Sequence, residues 1–276
     1  MMKLVSYYEI TGKDTVAASS NYIQSLDRAF SILDVLAEGG EAGVSLTRIA
    51  ESVGINSSTA RHLLATLIAR RVVEQDPVSR RYRLGVHLIE LGNSARASTS
   101  LARLAHPYVE RLWEITGEAV SLIVFHGLLR APLLGLQSRQ LLHAQSAPLN
   151  TYTLHATGSG KVLLAYLPER ELREYLNHAP LERFTNTTIT DPDALRQELS
   201  RIRATEVAMD CEEHGVGVRC IAAPVRDAQL RVIGCLDLVF PAFGLTEERL
   251  QQMMVATRQN AADLSAQLCD VGLVVS

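Results

Sequence analysis

The sequence predicts an α+β chain: an N-terminal winged helix-turn-helix domain, a linker helix, and a C-terminal domain of helices and antiparallel hairpins. Three observations carry that prediction. Between Ser45 and Leu84 two short helical stripes meet at a glycine and run into a hairpin. From Arg61 to Arg83 six arginines stand against Glu74 and Asp76, in a chain whose net charge is −3. After Gly117 the character of the sequence changes, and apolar strand-like runs alternate with helices.

Residues 1–22 mix Ser, Thr, Lys and Gly without periodicity and are expected to form a loose arm. A first helix is expected over Ser25–Glu38, with Leu26, Ala29, Phe30, Leu33 and Ala37 on one face and Gly39-Gly40 as its stop. Ser45 can cap the next helix, whose Leu46, Ile49, Ala50 and Val53 fall at i, i+3, i+4 and i+7. Gly54 ends it, since a glycine accepts the positive φ that other residues resist. Ile55 plugs the turn, and Asn56 or Ser57 can cap a second helix striped by Ala60, Leu63, Leu64, Leu67 and Ile68. Val72–Asp76 and Arg80–Leu84, joined through Pro77-Val78-Ser79, then read as a hairpin with a basic tip.

A basic island in an acidic chain is the electrostatic footprint of DNA contact. The candidate contacts are Ser45, Ser57, Ser58, Thr59, Arg61, His62, Arg80 and Arg81. Ser58, Arg61 and His62 are expected nearest the bases of operator duplex, with Arg80 and Arg81 on flanking phosphate or in the minor groove. Residues 1–98 carry 11 basic and 10 acidic side chains, so the signal is local, and dimerisation is needed for useful specificity.

The winged domain is assigned to residues 23–85 and a linker helix to 86–98, where His87–Leu91 is amphipathic. The rest, 99–272, opens with a helix striped by Leu104, Ala105, Tyr108, Leu112 and Ile115 and ended by Gly117. A hairpin follows over Ala119–Phe125 and Leu128–Leu136, then a short strand over Leu141–Gln145. Helices are expected at His155–Leu167, at Glu169–Asn177 and from Asp191, where Pro192 lies in the first turn. Val218–Val225 and Val232–Phe240 form a second hairpin, and a helix over Thr246–Leu268 closes the domain. Hairpins flanked by helices suggest a sheet covered by helices.

No apolar run approaches the roughly 18 residues of a membrane span, and no secretory signal is evident, so a cytoplasmic protein without membrane partners is expected. Four cysteines, at 211, 220, 235 and 269, form no C-x-x-C pair, and neither a metal site, a disulfide framework nor a cofactor is expected.

Three stretches resemble the isocitrate lyase regulator (IclR) family of bacterial transcription factors. Ser25–Phe30 is similar to its opening helix. Leu154-His155-Ala156-Thr157-Gly158-Ser159-Gly160-Lys161 is similar to its central loop-helix signature. Asp210–His214 with Gly217–Val225 is similar to its C-terminal signature. The resemblance covers about residues 23–272. It implies a GAF/profilin-like effector-binding domain, a dimer formed through the DNA-binding domains and paired into a tetramer, and control of a catabolic operon by a small organic acid or aromatic catabolite.

Carried over by position, the effector site comprises the Gly158-Ser159 backbone, Asp210, Cys220 and the strand residues Cys235, Asp237 and Val239, with Tyr152 as a further wall. Asp237 departs from the serine often found there. A carboxylate in an apolar strand needs a donor. That donor is either a hydroxyl, phenol or amine of the effector, or a structural arginine such as Arg219. Two carboxylates at one site disfavour a compact dianion and point to an effector with donors and apolar bulk.

Sharper chemistries fail. A phosphate loop would need Gly at His155 and Ser or Thr at Val162. A nucleophilic set of Cys220, His155 or His214, and Asp210 lacks an exposed nucleophile turn and an oxyanion donor pair. The chain is therefore expected not to be an enzyme. The rival reading is a small-molecule hydrolase or transferase with a vestigial winged-helix domain.

Overall fold

The computed structural model describes residues 23–97, 100–139 and 151–275; the expected arm over 1–22 and the expected strand over Leu141–Gln145 lie outside the described residues. The chain falls into two compact units that divide between residues 99 and 100.

The first unit contains α1 (Gln24–Gly39), α2 (Leu46–Val53), α3 (Ser57–Ala69), β1 (Val73–Gln75), β2 (Tyr82–Leu84) and α4 (His87–Ala97). Ser45 Oγ accepts the Arg48 N–H at 3.4 Å to start α2, and Gly54 ends it in the left-handed region at φ 68°. Asn56, rather than Ser57, caps α3, its Oδ1 accepting the Thr59 N–H at 2.8 Å. β1 and β2 pair antiparallel, Val73 opposite Leu84, and Val44 bridges to Tyr82 on the far side. Ile32, Leu36, Val44, Ile49, Leu64, Val73 and Tyr82 form the core.

α1 turns a different face inward from the one its stripe suggested. Ile32 and Leu36 are buried, whereas Leu26 and Phe30 are more than half exposed. The helix is apolar on more than one side, so periodicity alone could not choose between them. Ile68 likewise stays outside the core, at 37% exposure.

The second unit runs α5 (Ser100–Thr116), β3 (Ala119–His126), β4 (Leu129–Leu136), a 3-10 segment (Thr151–Ala156), α6 (Gly158–Tyr166), α7 (Glu169–His178), α8 (Pro192–Thr205), β5 (Ala208–Cys211), β6 (Val218–Arg226), β7 (Val232–Pro241) and α9 (Glu247–Asp270). The strands form one antiparallel sheet in the order β4-β3-β7-β6-β5. Strand alternation divides its side chains between two layers. Val120, Leu122, Ile221, Ala223, Leu236, Leu238 and Phe240 pack under α5 and α9. Ile123, Ala208, Ala222 and Cys235 pack under α6, α7 and α8.

Three expectations change here. α5 buries Leu101, Ala105, Val109 and Leu112, and Ile115 is exposed, because the helix is gripped between the sheet and α9. The helix expected from His155 starts at Gly158 instead, since Thr157 is extended (φ −127°, ψ 149°) and separates it from the 3-10 segment. Close packing enforces the break: a Cβ on Gly160 would lie 2.3 Å from the Leu154 carbonyl oxygen. Strand β5 was not expected, because the inward Asp210 interrupts its apolar alternation.

Candidate DNA-reading face and candidate effector site

On α3 the side chains of Ser57, Ser58, Arg61, His62 and Ala65 are exposed, while Ala60 and Leu64 hold the helix to the core. Ser58 Oγ donates to the capping Asn56 Oδ1 at 3.1 Å. Beside this face lies a notch of about 370 Å³ lined by Leu46, Arg61, Ala65, Ile68, Gln75 and Arg80. The wing tip is held by Asp76, whose Oδ1 accepts the N–H groups of Val78 (3.0 Å) and Ser79 (2.6 Å) and the Ser79 hydroxyl (2.9 Å). Arg80, at φ 59°, brings its side chain to the notch opposite Arg61. Arg81 turns back, donating to the Gly43 carbonyl at 3.0 Å, and Arg83 pairs with Glu74 at 3.5 Å. Two cations, one from the helix and one from the wing, therefore flank a single recess.

In the second unit the first turn of α6 sits directly on β6. A Cβ on Gly158 would meet Cys220 Sγ at 2.7 Å and Ala222 Cβ at 3.3 Å. The sheet register places Asp210 opposite Cys220, Cys220 opposite Val239, and Ala222 opposite Asp237, so these side chains share the face under α6. The Cys220 thiol donates to Asp237 Oδ1 at 2.9 Å. Burial pushes the Asp237 carboxyl up, opposed by that thiol, by the Arg130 charge and by the Ser159 N–H.

Arg130 reaches this face from β4. Its guanidinium is buried and donates to the hydroxyls of Thr157 (2.8 Å), Ser159 (2.9 Å) and Thr153 (2.9 Å). Burial works against its charge, and Asp237 is the leading group that restores it. On the other side of the turn, Lys161 is also buried, donating to the Met209 carbonyl at 2.6 Å and to Glu213 Oε1. Asp210 Oδ1 accepts the Glu213 N–H at 2.7 Å, yet burial pushes its carboxyl up to about 7. His155 Nε2 donates to the Glu182 carbonyl at 2.9 Å, and burial holds the ring toward its neutral form. Phe184 stacks on that ring at 5.7 Å between centroids and meets His214 at 5.0 Å.

Residues 94–266 match the family described as bacterial transcriptional regulator IclR C-terminal, and residues 25–77 match the IclR helix-turn-helix domain. The chain belongs to the IclR family. The HTH-type transcriptional regulator BhcR of Paracoccus denitrificans is 35% identical over 90% of this chain and 88% of its own. The transcriptional repressor IclR of Escherichia coli is 29% identical over 86% of each. The crystal structure of an IclR transcriptional regulator from Alicyclobacillus acidocaldarius superposes with a TM-score of 0.75 at 25% identity, covering 89% of this chain and 98% of that one. Like the IclR regulators it matches, the chain is a DNA-binding transcriptional regulator and not an enzyme.

The local chemistry agrees with that class. Cys220 is buried, with its thiol pushed well up by burial and by Asp237 and Asp210, the reverse of an activated nucleophile. Lys161 points into the protein rather than toward a phosphate.

Of the residues the sequence nominated, Gly158, Ser159, Cys220, Cys235, Asp237 and Val239 come together under α6, with Asp210 at the edge on β5. The side chain of Tyr152 lies outside the described residues. Arg219 is not the partner of Asp237; it lies 3.8 Å from Glu212, and Arg130 supplies the charge instead. Arg130, Thr153 and Thr157 were missed. The signal for Arg130 was present, since a lone charge in the apolar run Leu128–Leu134 poses the same question as Asp237 in β7.

Proposed function

We propose that the chain controls a catabolic operon by binding operator DNA through α3 and releasing or retaining it in response to a small organic acid or aromatic catabolite held under α6. The observation that carries this reading is the paired arrangement of Arg61 on α3 and Arg80 on the wing around one recess, beside an exposed row of small hydroxyls. Ser58, Arg61 and His62 face the base edges, Ser45, Ser57 and Thr59 lie near phosphate, and Arg80 and Arg81 meet the flanking backbone or minor groove. Helix N-termini favour phosphate there because their first-turn N–H groups, apart from the two capped by Ser45 and Asn56, have no intrahelical partner. The active form is a dimer, paired further into a tetramer. Ile23, Leu26 and Phe30 on α1 and Val86, Ile89 and Leu91 around α4 are all more than half exposed in the single chain, which supports a second copy covering them.

Fluorescence anisotropy of the full chain on DNA from upstream of its own gene, against scrambled DNA at two salt concentrations, tests the reading. Preference for the upstream duplex that survives the higher salt is expected. Arg61→Ala should cost about 1–3 kcal/mol on the specific duplex and little on the scrambled one. Binding that is sequence-blind and lost with salt overturns the reading; equal loss on both duplexes moves Arg61 to a phosphate contact.

A further inference from the structure

One apolar strip of the winged unit has no place in its core. Ile68 belongs to the apolar stripe that the sequence predicts for α3, yet it is 37% exposed, and Ala65, one turn earlier, is exposed as well. Both line the notch of about 370 Å³ between α3 and the wing, with Arg61 at one rim and Arg80 at the other. Arg61, Ala65 and Ile68 stand at i, i+4 and i+7, so they form one row along the face that carries Arg61. The far wall is held in place. The Gln75 side-chain amide donates to the Arg80 carbonyl at 2.9 Å, and the Arg80 N–H donates to the Asp76 carbonyl at 3.0 Å. A recess with a cation on each side and carbon on its floor suits an anionic partner that carries an apolar group. In the major groove of a duplex, that group is the C5 methyl of thymine.

We propose that Ala65 and Ile68 read the methyl group of a thymine beside the guanine that Arg61 reads, making them specificity-determining residues for the operator. The inference rests on the reading of α3 as the recognition helix and of Arg61 as a base contact. Spacing sets where the thymine lies. Four residues of helix advance about 6 Å and neighbouring base pairs stand about 3.4 Å apart, so in a helix lying along the groove the floor falls about one to two base pairs from the guanine. A methyl offers no hydrogen bond, so it is read by burial alone, and removing one such group from water is worth about fourfold in affinity. Cytosine at the same place lacks the methyl and brings an amino donor that would face carbon, so it is rejected more strongly than the missing methyl alone requires.

Footprinting of the full chain on DNA from upstream of its own gene locates the protected site, and anisotropy then measures modified copies of that duplex. 7-Deazaguanine in place of each guanine in turn removes the N7 acceptor, and uracil in place of each thymine removes only the methyl. One deazaguanine should weaken binding by the parent and have no effect on Arg61→Ala. At the stated spacing from it, one uracil should weaken the parent about fourfold, and a cytosine·guanine pair there should cost more. The uracil cost should shrink in Ile68→Ala and in Ala65→Ser, while both variants keep the deazaguanine cost, which shows that the helix still docks. The proposal is overturned if no guanine responds to the deaza change, if no uracil at that spacing costs affinity, or if the uracil cost is unchanged in both variants. The second result would set the floor against deoxyribose instead. A protected upstream site alongside any of those results leaves the regulator reading intact, whereas sequence-blind binding with no protected site removes the reading beneath the proposal.

Discussion

Gly158→Ala measures how tightly the first turn of α6 is seated on the sheet. The new Cβ would stand 2.7 Å from Cys220 Sγ and 3.3 Å from Ala222 Cβ. Ordinary contacts between such atoms are about 3.5–4.0 Å, so one side must retreat by about 1 Å. The sulfur cannot swing aside easily, because its thiol is tied to Asp237 at 2.9 Å inside a buried face. The helix must lift instead, straining the Ser159–Arg130 hydrogen bond at 2.9 Å. Overpacking of this kind costs about 1–3 kcal/mol. Cys220→Ala removes the sulfur and the clash together, so the double variant should be more stable than the two single costs predict, by about 1 kcal/mol or more. Urea unfolding followed by tryptophan fluorescence reads this unit alone, because the single tryptophan, Trp113, lies on α5. Single costs that add within about 0.5 kcal/mol would refute the steric argument, as would a Gly158→Ala protein as stable as its parent.

Two further substitutions probe the charges around the same turn. Asp210, with its carboxyl pushed up to about 7 from an ordinary 3.8, holds its proton more tightly folded than unfolded. Its contribution is therefore fully present below the ordinary value and declines as pH rises toward 7, by at most about 4 kcal/mol at about 1.4 kcal/mol per pKa unit. Melting curves from pH 4 to 8 should show the parent losing stability relative to Asp210→Asn across that window, and parallel profiles would contradict the buried titration. Lys161→Met strands Glu213 without its buried partner and should cost about 3–5 kcal/mol, much of it recovered by adding Glu213→Gln. Equal instability with and without the second change would mean that Lys161 matters for packing rather than charge.

How much of this was legible in the chain follows from how local each signal is. The caps at Ser45, Asp191 and Thr246 and the stop at Gly54 need only the residues beside them, and the helices begin and end there. The two long hairpins were legible because each strand is a largely apolar run of eight or more residues next to a turn. What failed was the choice between faces. α1 offers Leu26 and Phe30 as readily as Ile32 and Leu36, and only the packing of α2, α3 and β2 around it decides. The site split the same way. Asp237 stood out as a charge inside β7, but its electrostatic partner comes from β4, more than a hundred residues earlier, with β3 lying between the two strands. Sequence spacing carries no record of which strand lies beside which.

With the effector in the proposed site under α6, the charges on either side of that helix make its first turn, rather than the sheet, the place where binding registers. Thr157 and Ser159 accept from Arg130 on β4, the Ser159 N–H faces Asp237 on β7, Gly158 abuts Cys220 on β6, and Lys161 donates to the Met209 carbonyl and to Glu213 at the end of β5. Strands from both edges and the middle of the sheet thus meet three consecutive positions, Thr157 to Ser159, and Lys161 of a single segment. A five-stranded antiparallel sheet held by its ladders resists small displacement, whereas a helical turn held by side chains can shift when one of those side chains changes partner. Any ligand that takes a hydrogen bond from Arg130 competes directly with Thr157 and Ser159 for the same guanidinium. Displacing those two hydroxyls loosens the turn on the β4 side while Lys161 still grips it on the β5 side, so the helix is expected to tilt rather than detach.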